Sequence, residues 1–91
     1  MLGLTWRRSA LRELANATDY IAARNPAAAQ RIKDLIDHHI ALARVVPGMG
    51  RPGRVPDTRE LIAHPNYIVI YKVAAEHIVV LRVLHAHQRY P

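Results

Sequence analysis

Asn25-Pro26 constrains this chain more than any other pair of residues in it. Apolar residues recur at helical spacing on both sides of the pair, and neither residue suits a helix interior. Asparagine caps a helix through its side-chain oxygen, and proline is tolerated at a first helical position because its missing N–H has no partner there. One helix must therefore stop before Asn25 and another must start at Pro26. Upstream, Leu11, Leu14, Thr18, Ile21 and Ala22 form a stripe with Arg12, Glu13, Asp19 and Arg24 off it, which predicts a helix over 10–24 with Ser9 as its N-cap. Downstream, Ala28, Ala29, Ile32, Leu35, Ile36, His39 and Ala43 line one face, while Lys33 and Asp37 sit one turn apart on another. So short a joint forces an antiparallel αα-hairpin.

The character changes at Pro47. Pro47, Gly48, Gly50, Pro52, Gly53 and Pro56 break regular structure up to Asp57, and the segment carries Arg51 and Arg54. Beyond it the pattern reads as sheet: a strand over 58–63, a turn at His64-Pro65-Asn66, a strand over 67–73, a turn over 74–77 and a strand over 78–85. The middle strand, Tyr67-Ile68-Val69-Ile70-Tyr71-Lys72-Val73, is apolar on both faces and so belongs in the centre. A short leading strand puts Leu2, Leu4 and Trp6 on one side. The expectation is a single α+β domain over 1–91: an N-terminal strand, a two-helix antiparallel hairpin, then a three-stranded antiparallel sheet, in the order β-α-α-β-β-β. The hairpin covers one sheet face, and the other meets water or a partner.

The thirteen basic residues, all arginine except Lys33 and Lys72, outweigh seven acidic ones and give a net charge of +6. Arginine suits bidentate contact with phosphate and carboxylate, so the balance points to a nucleic acid or an acidic protein as partner. The absence of cysteine removes disulfides and thiolate metal sites and fits a cytoplasmic location. The apolar stretch over 67–84 is broken by Lys72, Glu76, His77 and Arg82, too often for a membrane span, and no basic region precedes an apolar run at Met1 to Trp6 as in a signal peptide.

Several side chains are candidates for chemistry. The glycines at 48, 50 and 53 alternate with prolines and precede a strand, so they do not form a phosphate loop. His85 and His87 could share a metal on one side of a strand but lack an acidic or thiolate companion, and His38 and His39 diverge on their helix. His39 is expected at the core edge and His38 in solvent; no metal or cofactor is expected. Arg82, His85, His87, Arg89 and Tyr90 could supply the base, acid and cation of metal-free RNA cleavage. Equally, Arg82 and Arg89 could hold a partner's carboxylates while His85 packs at a strand end. Arg59 and Glu60 project to opposite faces; one of them pairs across strands with Arg82 or Lys72, or Arg59 stands on the open face as an anchor.

The order of these elements resembles the RelE/ParE superfamily of bacterial toxins. The resemblance rests on Trp6-Arg7-Arg8-Ser9-Ala10 after the leading strand, and on Tyr20-Ile21-Ala22 followed by Asn25-Pro26-Ala27-Ala28-Ala29. It continues through Gly50-Arg51-Pro52-Gly53-Arg54 into Thr58-Arg59-Glu60-Leu61, then Tyr67-Ile68-Val69-Ile70-Tyr71 and Val80-Leu81-Arg82-Val83-Leu84-His85. It implies the toxin of a type II toxin–antitoxin module, of a kind that stabilises plasmids. ParE-like members inhibit DNA gyrase without chemistry of their own; RelE-like members cut mRNA on the ribosome. The ribonuclease branch usually places an arginine just after the tyrosine of the central strand, where this chain has Ile68-Val69-Ile70, so the ParE branch is favoured. The RelE alternative would use Arg82, His85, Arg89 and Tyr90, and a third possibility is a degenerate toxin that only binds antitoxin. The resemblance further implies an acidic antitoxin that lays carboxylates near Arg51, Arg54, Arg59 and Arg82 and itself carries the DNA-binding function.

Overall fold

The chain leaves its first strand and enters its first helix with almost no linker. In the computed structural model, which describes residues 1–88 and 90, β1 (Gly3–Trp6) is followed by α1 (Arg8–Ala22) and α2 (Pro26–Val45). Then come β2 (Arg51–Pro52), β3 (Arg59–His64), β4 (Tyr67–Ala74) and β5 (His77–His85). The α+β class and the helical hairpin match the expectation. The sheet is larger than three strands: its order is β1-β5-β4-β3-β2, with β3, β4 and β5 antiparallel in the centre and β1 running parallel to β5 at one edge.

Two local expectations need correction. Ser9 is not the cap of α1; Arg7 holds that position, without a side-chain cap. The reason is pairing: the Arg7 N–H still bonds Val80 O at 3.0 Å while its own carbonyl accepts from Leu11 N at 3.1 Å, so sheet and helix share one residue. In α2 the buried stripe is Ala29, Ile32, Ile36, Ile40 and Ala43, so Ile40 takes the place expected for Leu35, which flanks the stripe and is exposed. The joint itself forms as expected, with Asn25 Oδ1 accepting from Ala28 N at 3.1 Å and Pro26 in the first turn. Lys33 Nζ meets Asp37 Oδ2 at 2.8 Å, and His39 is half-buried beside an exposed His38.

The segment expected to be irregular contains β2, in which Arg51 pairs with Glu60 and Pro52 with Arg59. Proline fits this sheet edge because no further strand needs its missing N–H. Tyr71, fully buried, anchors the approach to β2: its hydroxyl donates to Pro47 O at 2.6 Å and accepts from Gly50 N at 3.1 Å. A Cβ on Gly50 would lie 2.8 Å from the Tyr71 ring and 3.0 Å from Glu60 O, so glycine is required by close approach.

Alternation along the strands separates two cores. On one face Leu61, Ala63, Val69, Tyr71, Ile78, Val80 and Val83 pack under Ala10 of α1 and Ile32, Ile36, Ile40 and Ala43 of α2. On the other face Ile70 and Leu84, flanked by Ile68 and Leu81, are covered by Tyr90. The helices therefore shield one side only.

Candidate functional site

The side away from the helices is apolar at its centre. Ile70 and Leu84 lie diagonally across the β4–β5 pairing, Leu84 opposite Ile68, and Tyr90, 8% exposed, folds back over them. Arg54 holds the tyrosine: its guanidinium carbon stands 5.1 Å from the ring centroid, and Nη1 donates to Tyr90 O at 3.3 Å. The Tyr90 hydroxyl is buried and has no hydrogen-bond partner among the described residues. Tyr90 is thus a covering residue of the sheet, and Arg54 is spent on fixing it.

The remaining arginines named from sequence are also engaged within the chain. Arg51 Nε donates to Glu60 Oε1 at 2.7 Å, and Glu60 is nearly buried. The cross-strand pair expected for Glu60 or Arg59 with Arg82 or Lys72 does not form, because β2 brings Arg51 alongside Glu60 first. Arg59 lies opposite Tyr71, on the face that carries Leu61 and Ala63, and its Nη1 donates to Gly50 O at 2.7 Å and Gly48 O at 3.3 Å. That geometry removes Arg59 from the open face and makes it a brace for the loop between α2 and β2.

Arg82 sits where β5 bulges against β4, between the Ile70 and Tyr71 positions. Glu13 of α1 takes it as a fork: Nη2 donates to Oε2 at 2.8 Å, and Nε lies 3.2 Å from both carboxylate oxygens. This hydrogen bond raises the Arg82 pKa above its ordinary value, burial opposing it and the Glu13 charge adding to it. The same carboxylate accepts from Val83 N at 3.1 Å. β1 ends at Trp6, opposite Val80, so past that point the outer edge of β5 has no strand beside it. Glu13 closes that edge. No pattern in the sequence marks Glu13 for this role; it is simply a polar residue off the apolar stripe.

The side chains proposed for RNA cleavage are not gathered in one place. Arg82 and Tyr90 line a cavity of about 200 Å³ on the open face with Arg7, Ser9, Ile70 and Leu81. His85, exposed at the end of β5, lines another concavity of about 340 Å³ between α1 and the strand edge, with Glu13, Tyr20, Tyr67 and Gln88. Its ring is 5.5 Å from Tyr67 and 5.3 Å from His87, and His85 Nδ1 lies 3.3 Å from His87 N. Arg89 lies outside the described residues.

A cationic surface that sequence reasoning missed is the start of α1. The three ion pairs among the described residues use Lys33, Arg51 and Arg82, so Arg7, Arg8 and Arg12 have no acidic partner there. Their one sequence signal is negative: no acidic residue stands in the first turn. Among the described residues no helix is long and apolar enough to cross a membrane.

Comparison with known proteins agrees with this architecture. The family model described as the ParE toxin of the type II toxin–antitoxin system parDE matches residues 4–90. Y4kP of Sinorhizobium fredii, designated a candidate toxin, is 37% identical over 89 residues, covering 97% of this chain and 92% of that protein. A chain from the chromosomal ParDE toxin–antitoxin system of P. aeruginosa superposes with a TM-score of 0.80 at 25% identity, covering 93% of this chain and 96% of its own. A copper-bound mutant toxin from Helicobacter pylori shares the fold, with a TM-score of 0.73 at 14% identity over 99% of this chain and 100% of its own.

Proposed function

The chain belongs to the ParE toxin family of type II toxin–antitoxin systems, and from that membership we propose that it inhibits DNA gyrase by binding, in the cytoplasm, until an acidic antitoxin silences it. The observation that carries this reading is the condition of Arg82. Metal-free cleavage at a 2′-hydroxyl needs a base, an acid and a free cation converging on one phosphate. Arg82 is clamped by Glu13, His85 opens into a different concavity, and the middle of the uncovered face is Ile70 and Leu84 under Tyr90. Such a surface favours recognition over chemistry. The net charge of +6 and the P. aeruginosa ParDE relative support an anionic antitoxin as the neutralising partner.

The test is a supercoiling assay with purified chain and gyrase. Inhibited supercoiling with a trapped cleavage complex is the expected result; normal supercoiling overturns the target. In parallel, mRNA ends are mapped in cells induced for the chain. Intact transcripts fit the proposal, whereas cut transcripts replace it with the ribonuclease alternative. Harmless overexpression without antitoxin would mark a chain that retains antitoxin binding alone.

A further inference from the structure

Of the four tyrosines, Tyr71 and Tyr90 are buried, and the other two come together elsewhere. Tyr20 and Tyr67 both line the concavity of about 340 Å³ between α1 and the end of β5, with His85 as a third ring. It lies on the helix side of the sheet, over Ala17 and Val83, away from the face that carries Ile70 and Leu84. Tyr20 is 62% exposed and belongs to neither core; Arg24 rests on it, its guanidinium carbon 4.8 Å from the ring centroid. The rings continue past the concavity on both sides. His64 stands 6.2 Å from Tyr67, and His87 stands 5.3 Å from His85.

The polar groups beside these rings are of a matching kind. Asn16 and Gln88 bring amides to the same concavity, and each amide both donates and accepts. Gln88 Oε1 accepts from His85 N at 3.3 Å, which leaves the NH₂ to donate. His85 Nδ1 accepts from His87 N at 3.3 Å, so the neutral ring carries its proton on Nε2 and donates from there. Glu13 is in the lining too, but its oxygens are committed to Arg82 and to Val83 N. Arg12 lies one helical turn before Asn16, on the same side of α1. It is exposed and has no acidic partner among the described residues.

We propose that this concavity binds a nucleotide. The base stacks among Tyr20, Tyr67 and His85, the amides of Asn16 and Gln88 meet its edge, and the phosphate is drawn to the rim at Arg12. Flat rings beside amides suit a heterocycle with its own donors and acceptors. A bare phosphate is disfavoured, because no lysine or arginine is in the lining and the Glu13 carboxylate is. The volume lies at the low end of the range of about 300–1,000 Å³ usual for ligand sites, which suits one base and its sugar rather than a duplex. In a single strand, the rings of His64 and His87 would serve the bases on either side.

The test titrates the full ¹⁵N-labelled chain with adenosine monophosphate, adenosine and ribose 5-phosphate. The monophosphate is expected to shift the Asn16, Ala17, Tyr20 and His85 amides saturably, and ribose 5-phosphate is expected to leave them in place. Tyr20→Leu should bind the monophosphate about tenfold more weakly. This variant keeps the fold, since the Tyr20 ring lies outside both cores. Arg12→Gln should weaken the monophosphate and leave adenosine unchanged, because only the former carries a charge for it to meet. Shifts confined to other amides, equal shifts by ribose 5-phosphate, or unaltered binding by Tyr20→Leu overturns the site. Octamers of deoxyadenylate and riboadenylate then identify the source of the nucleotide. Binding about tenfold or more above the monophosphate, lost in Tyr20→Leu, assigns the site to a single strand of whichever sugar binds tighter. Octamers no better than the monophosphate assign it to a free nucleotide, and an octamer gain untouched by Tyr20→Leu overturns the single-strand role.

Discussion

Replacing Glu13 by glutamine asks whether Arg82 belongs to the scaffold or to a contact surface. The carboxylate accepts from Arg82 Nη2 at 2.8 Å, from Nε at 3.2 Å and from Val83 N at 3.1 Å. Glutamine keeps one acceptor oxygen, which can serve the guanidinium or the strand amide well but not both, and it turns an NH₂ toward a group that only donates. Hydrogen bonds to charged groups contribute about 1.5–3 kcal/mol when shielded, and open surface pairs about 0–1 kcal/mol. The Arg82 side chain is 39% exposed and that of Glu13 22%, so the pair falls between these limits. After discounting for solvent screening, the loss should be about 1–2 kcal/mol. Urea unfolding measures it as a lower midpoint at unchanged slope. A double-mutant cycle with Arg82→Met should return a coupling of about 1 kcal/mol. Faster exchange of the Val83 amide in Glu13→Gln would locate the effect at the strand edge. An unchanged midpoint with no coupling would refute the reasoning and return Arg82 to the list of side chains available to a target.

Three further outcomes follow from the geometry. Tyr71→Phe removes both hydroxyl contacts to the α2–β2 loop and should cost about 1–3 kcal/mol, with Gly50 amide exchange rising first. Ala75 and Glu76, at φ of 50° and 64°, form the two-residue turn between β4 and β5 in a backbone region that suits Asn-Gly. Ala75→Asn with Glu76→Gly should therefore raise stability by roughly 1 kcal/mol in urea unfolding. Lys33 has its pKa raised above 10.5 by its hydrogen bond to Asp37 and then by that residue's charge. A raised lysine stabilises fully below its unfolded value and ceases to do so as pH climbs through the folded one. Lys33→Met should thus cost a few tenths of a kcal/mol at neutral pH and nothing measurable well above pH 10.5.

What could be read before any coordinates was whatever local chemistry decides. Asn25-Pro26 fixes a helix joint wherever it occurs, and the spacing of Ile32, Ile36 and Ala43 fixes which side of α2 is buried. An apolar run on both faces made Tyr67 to Val73 a central strand by the same kind of local logic. β2 escaped because nothing local creates it: two residues become a strand only when the Tyr71 hydroxyl, the Arg59 guanidinium and the Glu60 carboxylate pin them from elsewhere in the chain. The internal partners of the arginines were hidden on similar grounds. Sequence fixes that Arg59 and Glu60 point opposite ways but leaves open which of them meets the helices. The bulge that turns Arg82 toward Glu13 depends on the mutual register of β4 and β5. Tyr90 could be weighed from sequence only as a group for RNA cleavage; the apolar patch of Ile70 and Leu84, assembled across two strands, is what gives it somewhere to be buried.

The parallel pairing of Gly3 with His77 carries a consequence for how the molecule comes into being. The first strand has no partner until the last strand exists, so on the ribosome it must wait while nearly everything between them is made. Closing so long a loop costs entropy that the local hairpins do not face, and it places completion of the sheet at the end of folding. A chain built this way acquires its complete sheet, and any surface that depends on that sheet, only once its last strand has been made.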